Sequence, residues 1–172
     1  MRIVIISFIV LLNFILQSTL FSHIAIMGIV PNTALIIVIS YSYLRGDVEG
    51  AIIGFCAGLL ADIFFGRVIG VSALLMMFAG FFAGKPFKDF FKDNYLAPIL
   101  LIGSIGLLYE LMFYVLNFLL MGRVDILRYM GIVILPVTAY NLIVGVFVYR
   151  GIYGVNAMLK RREDKKRGFM KK

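Results

Sequence analysis

Cysteine, histidine and tryptophan are nearly missing from this chain: Cys56 and His23 stand alone, and no Trp occurs in 172 residues. A lone cysteine excludes an internal disulfide and a cysteine-built metal cluster. A lone histidine excludes a multi-histidine metal site and leaves little for acid–base catalysis. Without tryptophan, anchoring at a membrane surface falls to the nine tyrosines and to the basic residues. Acids are scarce as well, nine against seventeen Lys and Arg. There is no G-x-S-x-G elbow, no P-loop and no H-E-x-x-H pair. These gaps point away from an enzyme and call for no cofactor and no metal.

What fills the chain is apolar. Hydrophobic residues make up 62%, and the mean hydropathy is +1.02. Soluble domains are about half apolar, so the solvent expected here is lipid. The expected fold class is an all-α integral membrane protein, a compact bundle of six transmembrane helices over residues 1–155, followed by a basic cytoplasmic tail over 156–172. The last thirteen residues, KRREDKKRGFMKK, hold eight of the seventeen basic side chains. The run lacks interleaved stacking aromatics, so it is read as a tail against anionic lipid and not as a nucleic-acid module.

A helix needs about 20 apolar residues to cross a ~30 Å hydrocarbon core. Six segments are candidates, some only by tilting or breaking. The first runs from Ile3 to Leu20 and, with only Arg2 before it and no clear cleavage site after it, is read as an uncleaved span. The second lies within 24–44, where Pro31 either opens the helix or acts as a hinge within it. From Pro31 to Leu44 the helix would reach only about 21 Å. Either it starts earlier and kinks, or residues 23–30 lie along the interface. The third and fourth, Val48–Phe65 and Val68–Gly84, meet at Gly66-Arg67. The fifth spans Tyr95–Met121, and the sixth Ile132–Tyr153, with Pro136 near its start.

Basic residues orient the bundle. With six spans and both termini inside, the inner side holds Arg2, Arg45, Lys85, Lys88, Lys92, Arg150 and the tail, fourteen in all. Arg67, Arg123 and Arg128 stay outside. Five or seven spans would break the asymmetry.

The stretch GFCAGLLADIFFG, residues 54–66, is the densest signal. Gly54, Gly58 and Asp62 recur every four positions on one helical face, with Ala57 and Ala61 widening it. Small residues let membrane helices approach closely, so the strip either tightens the bundle or forms a groove for a partner's helix. Gly66 closes the turn, and Gly70 carries the pattern into the fourth helix. Asp62 would lie near the outer helix end. It is read as a paired group, held by Arg67 or by backbone N–H groups of the 66–70 turn, in preference to a proton relay. Glu110 lies deeper, where an ionisable group is a functional candidate by default. It is either a functional acid or a hydrogen-bonded clamp, with the amides of Asn13, Gln17, Asn117 and Asn141 as possible partners. Asn13 and Gln17 share one face of the first helix and are read as interhelical hydrogen-bonding groups.

Three stretches carry a family resemblance: LLNFILQSTLF (11–21), GIVPNTALIIVISYSYLRG (28–46) and GAIIGFCAGLLADIFFGRVIGVSALLMMFAGFFAG (50–84). They resemble the MreD family of rod shape-determining membrane proteins, whose signature G-x-x-x-G-L-x-x-D-x-x-x-G-x-x-x-G falls here on Gly54, Gly58, Leu59, Asp62, Gly66 and Gly70. The family's Leu-Gln-Ser falls on Leu16, Gln17 and Ser18, and its proline on Pro31. The second half agrees only in length, hydrophobic layout and basic tail.

The resemblance implies a bacterial plasma-membrane protein of the cell-elongation machinery. Its implied partners are MreC, directly, and MreB, RodZ and RodA with its transpeptidase as members of the complex. It also implies a bundle similar to the S components of energy-coupling-factor transporters. That likeness supplies a rival function, capture of a vitamin-sized molecule. Against the rival, the outer side reads as poor in convergent polar groups: His23, Asn32, Asp62, Arg67 and Asp125. A lipid-linked precursor held by Arg123 and Arg128 has only charge in its favour. The expected role is a non-enzymatic scaffold that binds MreC and helps control cell shape and lateral peptidoglycan synthesis.

Overall fold

The computed structural model describes residues 2–19, 29–66, 68–85, 96–119 and 126–169, and every secondary-structure element among them is a helix. Helix α1 is Arg2–Thr19, α2 Thr33–Arg45, α3 Asp47–Phe65 and α4 Val71–Gly84. Helix α5 runs over Leu96–Tyr114 and continues in the wider π geometry through Val115–Leu119. Helix α6 opens at Ile126–Tyr129, passes through a π segment, Met130–Ile134, and runs on as Leu135–Phe169. The π segment has a local cause. Pro136 has no N–H to give the carbonyl of Ile132, so the ladder shifts, and the Leu135 N–H bonds Met130 O instead.

Three stretches are long and apolar enough to cross a membrane: Asp47–Phe65, Leu96–Asn117 and Met130–Lys160. Ile5–Thr19, Thr33–Arg45 and Val71–Gly84 are apolar but shorter. The thirteen residues of α2 reach about 20 Å, well short of a ~30 Å core.

Position makes α2's shortness tolerable. Helix α2 is the central rod, packed against α3, α4, α5 and α6. Thr33 and the whole run Leu35–Tyr43 are buried. A helix apolar on all sides belongs in a core, and here the β-branched run Ile36-Ile37-Val38-Ile39 costs little because packing outweighs propensity. Leu35, Ile36, Val38 and Ile39 pack with Met76, Ala79, Ala83, Ile102 and Tyr109. Helix ends that stop within a bilayer are acceptable where protein surrounds them, and both α2 and α4 end against protein groups.

Several boundaries differ from the sequence expectation. Pro31 is not a kink inside a helix: residues 30–32 are not helical, and Asn32 caps α2 by accepting from the Leu35 N–H at 3.1 Å. An asparagine cap starts a helix more readily than the proline two residues before Thr33. The sixth helix begins before Ile132 and continues past Tyr153, so the segment expected as a separate tail from 156 extends α6 as far as Phe169. His23, Arg67, Lys88, Lys92, Arg123 and Asp125 lie outside the described residues.

Helix α1 is the outlying element, touching α2 and, more lightly, α3. Phe14 joins it to the end of α3, its ring centroid 4.8 Å from Phe64 and 5.5 Å from Phe65. Phe8, Leu11, Leu12, Ile15 and Leu16 are exposed. So much apolar surface suits a lipid solvent.

Candidate functional site

The glycine face of α3 is filled by α4. An added Cβ at Gly54 would lie 2.2 Å from Met76 O, and one at Gly58 2.4 Å from Ser72 O. The same holds on the other side, where a Cβ at Gly80 would meet Gly50 O at 2.3 Å. Backbone therefore touches backbone along the pair. Near the other end of α3, Ser42 of α2 donates to Gly80 O, and a Cβ at Gly50 would strike the Ser42 hydroxyl. Gly84 closes the seam against Asp47 N. Of the six predicted packing positions, Gly54 and Gly58 lie in this interface. Ala61 is half-buried, beside it on the face toward α1.

Asp62 is 2% exposed and bonds entirely to backbone. Its Oδ2 accepts from the Gly70 N–H at 2.8 Å and the Ala73 N–H at 3.1 Å, and its Oδ1 accepts from the Ser72 N–H at 3.1 Å. These are the unpaired amides of the first turn of α4. Gly70, the residue at the cap position, has no side chain to offer, so α3 supplies the cap from across the hairpin. A carboxylate at a helix N-terminus also meets the positive end of the helix dipole. Of the two partners expected for Asp62, the backbone amides are the ones observed.

Gly66 and Gly70 complete the device. Gly66 N–H bonds Asp62 O at 2.9 Å, and a Cβ there would lie 2.6 Å from that oxygen. Gly70 has φ +105°, in the left-handed region that glycine occupies without strain. The signature is thus one mechanical unit: two glycines for approach, an acid to cap the incoming helix, and two glycines for the turn between.

The polar groups expected as Glu110 partners are engaged elsewhere. Asn13 Nδ2 donates to Gln17 Oε1 at 3.4 Å, and Thr33 Oγ1 donates to the same oxygen at 3.2 Å. Asn141 Oδ1 accepts from the Asn32 N–H at 2.8 Å, and Asn117 Nδ2 donates to Phe113 O at 3.2 Å. Asn141 Nδ2 is buried with no partner among the described residues. Glu110 itself is half-buried on α5, and no described residue hydrogen-bonds it.

Polar side chains from the helices meet at the end of the bundle near Asp62, whereas His23, Arg67 and Asp125, expected on the outer side, lie outside the described residues. Tyr109 of α5 faces one cavity with Ser72 of α4 and Asn32 at the cap of α2. Asn13 and Gln17 of α1 line the same cavity. Sequence reasoning missed Ser42, Gly50, Gly80 and Tyr109. A four-residue glycine spacing, Gly50-Gly54-Gly58 and Gly80-Gly84, was the available signal for two of them. Nothing local marked Ser42 or Tyr109.

The sequence model of the family described as rod shape-determining protein MreD matches residues 1–154. Neither the curated proteins nor the solved structures yield a match.

Proposed function

We propose, because the chain belongs to the rod shape-determining protein MreD family, that it is a non-enzymatic membrane scaffold of the cell-elongation machinery. Family membership gives the role in rod shape determination. The reading goes further: the chain sits in the bacterial plasma membrane with both termini cytoplasmic, binds MreC directly, and meets MreB, RodZ and RodA with its transpeptidase through the assembled complex. The charge asymmetry supports the orientation, since fourteen of seventeen basic residues would then face the cytoplasm. The basic end of α6 would lie against anionic lipid, each Lys or Arg near the surface contributing about 1 kcal/mol.

The carrying observation is that the glycine face is consumed within the chain. Gly54 and Gly58 hold α4, so a partner helix must use another surface. Glu110 marks one. It is a half-buried acid without a hydrogen bond from the described residues, on a helix long and apolar enough to span. Such a group is costly in hydrocarbon, and a polar residue on a partner helix would relieve it. The test is co-purification of MreC with Glu110→Gln and Glu110→Leu variants. MreC should be lost from the leucine variant while the variant itself accumulates and melts like the parent. Full retention of MreC by both variants would remove Glu110 from the interface. Failure of the parent chain to retain MreC would overturn the scaffold reading.

A further inference from the structure

Behind α1 the bundle is not filled. A cavity of about 320 Å³ lies among the end of α1, the cap of α2, and parts of α3, α4 and α5. Asn13, Gln17, Asn32, Ser72 and Tyr109 supply its polar lining, from α1, α2, α4 and α5. Phe14, Phe65 and Phe113 form aromatic walls. Two of these polar groups retain capacity. Gln17 Oε1 is used by Asn13 and Thr33, whereas Gln17 Nε2 and Asn13 Oδ1 have no hydrogen-bond partner among the described residues. A donor and an acceptor, one helical turn apart, are thus left over in a pocket of ligand size.

The charge balance narrows the chemistry. The cavity's described lining holds no Lys, Arg, Asp or Glu. Asp62 is nearby but is buried outside the lining and already accepts from three backbone amides. An anionic head would meet no cation there, and a cationic head no free carboxylate. What fits is an uncharged group with both hydroxyl or amide donors and acceptors, its flat faces against the aromatic rings.

A second cavity continues the first. It has about 430 Å³, is lined chiefly by apolar groups such as Ile6, Leu11, Ile52 and Cys56, and shares Val10 and Leu60 with the polar one. Together they follow α3 from Gly66 back to Glu49, about 25 Å at 1.5 Å per residue, comparable to a ~30 Å hydrocarbon core. Polar at the Gln17 end and apolar through Leu60, Cys56 and Ile52, with Tyr41 donating to Glu49 at 2.9 Å where the groove ends, the pair has the profile of a single amphiphile standing along the membrane normal. Helix α1, only lightly packed on α3, is its outer wall.

We propose that the space between α1 and α3 binds one membrane lipid with an uncharged, hydroxyl- or amide-bearing head, the head on Gln17 and Asn13 and one chain in the groove past Leu60 and Cys56. This site is independent of the partner reading above.

Native mass spectrometry of the full chain, released from nanodiscs of phosphatidylethanolamine and phosphatidylglycerol doped with monoglucosyl diacylglycerol, tests the site. One glucosyl lipid should stay bound to the parent chain. Retention should fall about tenfold in Gln17→Leu, the effect expected from losing one or two hydrogen bonds. It should also fall in Ala61→Phe, which fills the cavity. Equal retention of phosphatidylglycerol, or no change in either variant, would overturn the proposal. Soluble methyl glucoside competing as well as the lipid would overturn the amphiphile and leave a water-soluble ligand in its place. Should both variants fail to fold, the parent chain still decides. Its sole cysteine, Cys56, lines the apolar groove, so glucosyl lipid should slow maleimide labelling there and phosphatidylglycerol should not; equal rates would overturn the proposal.

Discussion

Asp62 and Gly70 are eight residues apart, on opposite sides of the α3–α4 turn, and the carboxylate Oδ2 accepts the Gly70 amide at 2.8 Å. With the amides of Ser72 and Ala73 on the same carboxylate, this contact holds the start of one helix on the end of its predecessor. An acid in an apolar run is thereby turned from a cost into a fastener, since each orphan amide would otherwise face hydrocarbon.

Replacing Asp62 by alanine should therefore unlatch the hairpin. Hydrogen bonds to a charged group contribute about 1.5–3 kcal/mol each, and their sum is tempered by relaxation, so a loss of roughly 3–5 kcal/mol is expected. Asp62→Asn keeps one acceptor oxygen and should lose about half as much. Thermal melting in detergent measures both, and a parent-like melt for the alanine variant would refute the latch.

The glycine seam makes a graded prediction. Gly58→Ala puts a methyl 2.4 Å from Ser72 O and 2.6 Å from the Ala73 Cα. These are backbone atoms, so the helices must part, at a cost of about 1–3 kcal/mol. Gly58→Leu should prevent folding. Gly106→Ala, where an added Cβ meets nothing within 4 Å, should be neutral or stabilising by up to about 1 kcal/mol. Equal yields of folded protein for Gly58→Ala and Gly106→Ala would contradict the seam.

Gly70 should tolerate asparagine better than alanine or valine. At φ +105° an L side chain is strained by about 1–3 kcal/mol, with asparagine the mildest. The expected order of melting temperatures is Gly70, then Asn, Ala and Val. An alanine variant as stable as the parent would sink the claim that the turn conformation, and not space, fixes this residue.

The three-helix contact of Ser42 with Gly80 and Gly50 separates packing from polarity. Ser42→Ala keeps the small volume and drops the hydroxyl, leaving Gly80 O without that donor, for a loss of about 1 kcal/mol. Ser42→Val adds bulk where Gly50 sits close and should cost clearly more. Reversible unfolding in mixed micelles distinguishes the two, and equal costs would mean that the close approach does not matter.

Much of this was legible in the residues. Hydropathy fixed the solvent and the number of helices, because apolar runs of this length have no other stable state in a bilayer. Four-residue spacing fixed which side of α3 is smooth, because period and face are properties of one helix alone. The acid near the end of that helix was legible as a paired group for the same local reason. Pairing between distant segments was not. That Asp62 reaches past the turn to the amides of Ser72 and Ala73, that Ser42 of α2 closes on Gly80 and Gly50, and that Asn13, Gln17, Asn32, Ser72 and Tyr109 converge from four helices were decided by tertiary structure. Each depends on how separate rods rotate and dock, which is settled by the packing of all six together and is written in no single stretch of sequence.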